Sequence, residues 1–280
     1  MKPLIFRGRD FILSAFNQLL LAAFSLVALY PVYYMLITGF KTRKDWLNNQ
    51  FGLPTEFILS NYIQALNQGR LIVWLGNSVM VTLASILVST AVAALAAYAL
   101  ARFRFKGRDF YLNTMVALMV VPPVVLILPL FVLMVRIKLI NTLPGLIIIY
   151  VGLLIPFSIY LLVSFFRSLP SELFDAAAID GCSNFGMLWR IVAPLSAPAL
   201  VTLVVVNALW VWNELLVALV FLQSEELKTL MPGLTLFKGH FSLNEPLIMA
   251  GTMIATLPML LLYLFGQRYF IQGLVAGAVK

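Results

Sequence analysis

Long apolar blocks separated by short polar connectors dominate this chain, at about 11–37, 73–100, 111–135, 145–166, 191–222 and 249–266. Each is long enough to cross a hydrocarbon core, which takes roughly 20 residues of helix. A segment in lipid must satisfy its own backbone hydrogen bonds, and the alternating pattern of a membrane barrel is absent, so each block predicts a helix. The fold class is therefore all-α, an integral membrane protein with six transmembrane helices.

Prolines interrupt the blocks: Pro122, Pro123 and Pro129 in the third, Pro156 in the fourth, Pro194 and Pro198 near the start of the fifth, Pro258 in the sixth. Proline removes a backbone donor, so each site is either a kink or an unwound stretch lining a pathway. The basic start and apolar run at the N-terminus read as a retained first span, since the run is too long for a signal peptide and lacks a small-residue cleavage pattern.

Composition supports the membrane reading. The chain is 62% hydrophobic and 11% charged, with a mean hydropathy of +0.99, whereas soluble domains carry roughly 25% charged residues. The net charge of +8 could suggest nucleic acid, but the basic residues sit mostly at block ends, where headgroups and topology explain them. The dense cluster Arg102, Arg104, Lys106 and Arg108, with Lys2, Arg7 and Arg9, places the N-terminus and the second connector inside. An even number of spans then makes both termini and the 167–190 loop cytoplasmic. Eleven Lys and Arg fall inside and eight outside. One cysteine, Cys182, excludes an internal disulfide and a Cys-rich metal site. Only the connectors at 39–72 and 223–248 have soluble composition, so residues 1–280 read as a single membrane domain.

The loop 167–194 is more elaborate than a connector needs. Pro170 and Ser171 can start a helix, and Glu172 and Asp175 favour its positive end. Ala176, Ala177 and Ala178 are strong helix formers with little bulk, which lets another protein approach the backbone closely. Gly181 suits a left-handed stop, Asp180 ends the helix, and Ser183 or Asn184 can cap a second short helix.

The string Asp175-Ala176-Ala177, the spaced Gly181 and the ending Ile191-Val192-Ala193-Pro194 resemble the "EAA" loop of permeases of binding-protein-dependent ABC importers; Ala193 stands where the family has Leu. Residues 77–107, 121–150, 210–219 and 273–280 are similar to the MalG-like second permease of maltose-type carbohydrate importers. The resemblance implies a type I importer permease fold and an ATP-driven sugar importer working by alternating access in the cytoplasmic membrane of a bacterium or archaeon. It also implies a second, different permease, two ATPase subunits and an extracytoplasmic substrate-binding protein, which the 39–72 connector would touch. Glu172, Asp175, Ala176, Ala177, Asp180, Gly181, Ile191 and Pro194 would couple to the ATPases, and the 267–280 tail would reach toward them. ATP and Mg would be bound by those partners, since this chain has no Gly-x-x-x-x-Gly-Lys-Ser/Thr loop.

Within the fifth block, Asn207, Trp210, Asn213 and Glu214 are candidate path-lining residues. A carboxylate at membrane depth should face protein or water, and indole and amide groups suit sugars. The alternative makes Trp210 and Trp212 interfacial anchors and puts Glu214 near the outer headgroups. A polyol or glycerol phosphate fits the same architecture as cargo, although no cationic path residue is evident. A lone ion-coupled transporter would use Glu214, but no inverted repeat is present. No catalytic group, cofactor site or metal site is expected: the single histidine, His240, lies in a connector, and no aspartate falls within a block.

Overall fold

A computed structural model describes the backbone at 5–68, 70–241 and 243–278 and the side chains at 13–67, 70–241 and 243–267. In chain order the helices are α1 (Ile5–Gly39), α2 (Arg43–Asn48), α3 (Ser60–Gln68), α4 (Leu71–Arg102), α5 (Arg108–Met119), α6 (Pro123–Arg136) and α7 (Leu143–Ser168). There follow α8 (Glu172–Ile179), α9 (Asn184–Met187), a π-helical stretch (Leu188–Val192), α10 (Ala193–Leu195), α11 (Ala197–Asn213), α12 (Leu216–Phe221), α13 (Leu230–His240) and α14 (Glu245–Ala278). No strand occurs among the described residues, so the protein is all-α as its sequence predicts. Four described helices are long and apolar enough to cross a membrane, or six spans if each bent pair is one.

Two of the six apolar blocks are not single rods. Between α5 and α6 the axis turns by 102°, because Pro122 is extended (φ −63°, ψ 133°) and Pro123 opens the next helix. Neither proline can donate a helical hydrogen bond, and proline at a helix's first position needs no donor. The second break, of 79°, separates Asn184–Leu195 from Ala197–Asn213. Pro129, Pro156 and Pro258 stay inside continuous helices.

The described chain forms two compact units, residues 1–69 with 237–254, and 70–236 with 255–280. In the first, the end of α1 is capped by side chains from the connector behind it. Asn61 Nδ2 donates to the carbonyls of Gly39 and Lys41 at 2.9 and 2.8 Å, and the Tyr62 hydroxyl to that of Leu36 at 3.0 Å. These bonds satisfy carbonyls that every helix end leaves open. Lys41 is fully buried and its Nζ donates to the carbonyls of Asn49 and Gln50, which closes the α2 turn.

In the second unit, α4 packs along α7. Ser85, Ser89, Ala93 and Ala97 recur every four residues and are all fully buried; small side chains on one helical stripe let a neighbouring helix approach closely. Leu162, Val163 and Phe166 of α7 fill this seam together with Tyr98, Leu188 and Leu203. A second cluster joins Met134, Leu146, Ile149, Tyr150, Val211, Val217 and Phe221. The 222–229 connector is tied to the helix starts. Trp74 Nε1 donates to the Glu225 carbonyl at 2.7 Å, and Asn141 Oδ1 accepts the amides of Gln223 and Ser224.

Candidate functional site

The loop after α7 folds into two short helices around a glycine. Helix α8 ends in a left-handed Gly181 (φ +74°). The Gly181 amide bonds the Ala178 carbonyl at 3.1 Å and the Cys182 amide bonds that of Ala177 at 2.9 Å. This paired pattern is the Schellman stop, which needs a residue without Cβ strain at its centre. Ser183 then caps α9, its hydroxyl accepting the Gly186 amide at 3.2 Å; Ser171 begins α8 without a side-chain cap.

Burial sorts the predicted loop residues into two faces. Glu172, Asp175, Ala176, Asp180 and Gly181 are exposed, as is Pro194. Phe174 and Ala177 are buried in the core of their own unit, and Ile191 packs partly against it. Large apolar side chains also stand on the outer face, notably Ile179 at 87% and Phe185 at 64% exposure. Arg102, at the end of α4, holds the inner face, its guanidinium carbon 3.1 Å from the Phe174 ring centroid.

A cavity of about 420 Å³ opens in the second unit among α5, α6, α7 and α11. Leu118, Pro123, Phe157 and Trp210 give it apolar walls, and Asn207 is its polar side chain. Asn207 is buried and donates from Nδ2 to Ser158 Oγ at 3.0 Å; among the described residues nothing donates to its Oδ1. Gly152 and Pro156 also line the space. Pro156 has no N–H, so the Gly152 carbonyl lacks its regular helical donor.

The four residues considered for the path therefore separate. Asn207 and Trp210 meet at the cavity. Asn213 is exposed and donates to the Leu209 carbonyl of its own helix at 2.7 Å. Glu214 sits at the break between α11 and α12, bonded by the Tyr150 hydroxyl and by two backbone amides. Tyr150 and Ser158 escape a reading of the sequence, because a single hydroxyl inside an apolar block carries no periodic signal. Cys182 is half-buried against the core, and His240 is an exposed residue at the end of α13. Among the described residues no cluster of three or more His, Cys, Asp or Glu could hold a metal ion. The tail side chains beyond Gln267 lie outside the described residues.

Apolar spans around a semi-polar cavity, with an ordered loop presented at the end of one helix pair, define a multi-pass membrane protein of the permease class. The family model for the binding-protein-dependent transport system inner membrane component matches residues 89–275, and the chain belongs to that family. It is 32% identical over 263 residues to the arabinooligosaccharides transport system permease protein AraQ of Halalkalibacterium halodurans, covering 92% of this chain and 94% of that one. It is 36% identical over 253 residues to the sulfoquinovosyl glycerol transport system permease protein SmoH of Agrobacterium fabrum, covering 90% and 89%. The fold matches a chain in the crystal structure of a bacterial ABC transporter involved in the import of the acidic polysaccharide alginate. There the TM-score is 0.82 at 26% identity, covering 94% of this chain and 98% of that one.

Proposed function

We propose that the chain is one permease half of an ATP-driven saccharide importer in a cytoplasmic membrane, with residues 171–194 as its coupling element. The observation that carries this reading is the two-faced α8. Phe174 and Ala177 fasten it inward, while Glu172, Asp175, Ala176 and Asp180 are presented to a partner. A rigid element pinned at one face transmits a displacement, and the glycine stop lets it turn toward the next span. ATP hydrolysis belongs to two separate ATPase subunits that bind ATP and Mg. A second permease completes the path, and a binding protein outside delivers cargo. Closure of the ATPase pair would swing the permeases between inward-facing and outward-facing states. The Arg102–Arg108 cluster supports a cytoplasmic position for both termini and for the loop.

Saccharide cargo is supported by the relatives named for oligosaccharide and glycoside transport and by the pairing of Trp210 with Asn207 at the cavity. An indole face covers the C–H face of a sugar, and an amide bonds its hydroxyls. Among the described residues no Lys or Arg lines the cavity, which disfavours a phosphate as cargo.

The test is ATP hydrolysis by the complex purified through a tag on this chain, for wild type and for Asp175→Arg with Gly181→Pro. Recovery of an ATPase that responds to loaded binding protein, and loss of that response in the variant, supports the reading. If no ATPase is recovered with wild type, the reading fails.

A further inference from the structure

We propose that Tyr150 and Glu214 are positioning residues that hold Trp210 in the wall of the cargo path, a role that rests on the path reading above. Trp210 lies in the last turn of α11 and Glu214 is the extended residue that ends that helix; together they clasp Tyr150 of α7. The Tyr150 ring meets the Trp210 ring edge-to-face, with centroids 5.7 Å apart and an interplanar angle of 85°. Its hydroxyl donates to Glu214 Oε2 at 2.7 Å. Tyr150 is 1% exposed, so its ring has no other setting without repacking the core.

Glu214 acts from behind the wall. Oε1 accepts the Val217 amide at 2.9 Å, and Oε2 accepts the Ala218 amide at 3.0 Å as well as the phenol. Three donors occupy the carboxylate, and it does not line the cavity. One turn earlier on α11, Asn207 is tied to Ser158 of α7. The indole is thus suspended between two ties to α7, one from within α11 and one from the break that follows it. A stacking wall works only when its ring is presented at a fixed tilt; the phenol and carboxylate supply that tilt while themselves staying out of the path.

The experiment uses the whole complex in lipid nanodiscs and proteoliposomes, with 5-fluorotryptophan incorporated and the Trp210 ¹⁹F signal assigned by its loss in Trp210→Phe. Tyr150→Phe removes one oxygen and keeps the ring, and co-purification of the ATPases checks assembly. Uptake is measured with maltotriose, arabinotriose and diacetylchitobiose. The expected result is a shifted or broadened Trp210 signal with the Trp46 and Trp189 signals unmoved, and uptake lowered about tenfold. In a Trp210→Ala background, Tyr150→Phe should then cause no further loss.

An unmoved Trp210 signal overturns the proposal, and so does a Tyr150→Phe loss that persists undiminished without Trp210. Wild-type uptake in Trp210→Ala, or no uptake of any of the three saccharides by wild type, instead removes the path reading and the proposal with it.

Discussion

The guanidinium of Arg102 lies over the ring of Phe174, 3.1 Å from carbon to centroid, and its Nη2 donates to the Leu169 carbonyl at 3.2 Å. One side chain at the end of α4 therefore fixes both the loop entry and the first turn of α8. A stacked cation is worth about 1–2 kcal/mol where it is partly desolvated, and the carbonyl bond adds about 1 kcal/mol. Arg102→Met should leave the spans intact and loosen α8. Amide hydrogen exchange at 172–181 should quicken about tenfold or more, and cargo moved per ATP should fall. Arg102→Lys, lacking the planar fork, should lie between the two. Unchanged exchange in Arg102→Met would show that α8 is held by apolar packing alone.

Two glycines should fail in different ways. At Gly181 a Cβ would meet nothing within 4 Å, so Gly181→Ala is opposed only by its left-handed backbone, at about 1–2 kcal/mol. The complex should assemble and melt only a few degrees below wild type, with its coupling of ATP to uptake weakened. At Gly233 a Cβ would strike the buried ring of Trp74, whose indole N–H is already committed to the Glu225 carbonyl. Gly233→Ala should lower thermal stability by about 2–3 kcal/mol and reduce the yield of assembled complex. Equal melting of the two variants in nanodiscs would contradict this assignment.

The apolar blocks are legible in the sequence because a bilayer demands a run of residues, and a run is a first-order pattern. The stop at Gly181 is legible for a similar reason, since one residue type satisfies one backbone geometry. Pro122-Pro123 announces a break, but residue type alone does not separate a kink within one helix from the 102° turn between two. The connectors at 39–72 and 223–248 read only as soluble composition, yet they hold α2, α3 and α13, which are too short for a clear period. Ala177 shows the same limit. Alanine's small size fits a partner's groove or the chain's own seam equally well, and only tertiary packing turns this one inward. Glu214 reads either as a path group or as a residue near the outer headgroups, because its three donors come from α7 and the first turn of α12, which local propensity does not reveal.

The two asparagines near the end of α11 offer a direct check of the cavity. Asn207 is buried at the wall and bonded across to Ser158, while Asn213 is exposed and bonded to its own helix. Asn207→Leu removes the amide at similar volume and leaves the Ser158 hydroxyl its bond to the Leu154 carbonyl. Folding should be nearly unchanged, and saccharide uptake should drop about tenfold from the loss of one hydrogen-bonding group in a dry site. Asn213→Ala should alter uptake by less than about twofold, as surface changes generally do. If Asn213→Ala is the damaging variant, the path runs along the other face of α11.

Lys41 gives a pH dependence whose sign follows from its setting. Burial pushes its ammonium below the usual 10.5, a shift that the nearby Asp45 carboxylate only partly opposes. Between the lowered folded value and 10.5 the unfolded chain binds more protons than the folded one, so stability rises with pH across that window and levels off above it. Tyr62, in the same unit, acts in the opposite direction: burial raises its phenol above 10.0, so its contribution falls as pH climbs past 10. Comparing wild type with Lys41→Met cancels the Tyr62 effect. At pH 7 the variant gains by losing a buried charge and loses by leaving the Asn49 and Gln50 carbonyls without their donor, an open acceptor costing about 1–3 kcal/mol. The difference between the two proteins should therefore widen in favour of wild type as pH rises toward 10.5, read as hydrogen-exchange protection of α2 amides corrected for intrinsic rate. Parallel curves for the two proteins would mean that Lys41 is not the group that titrates.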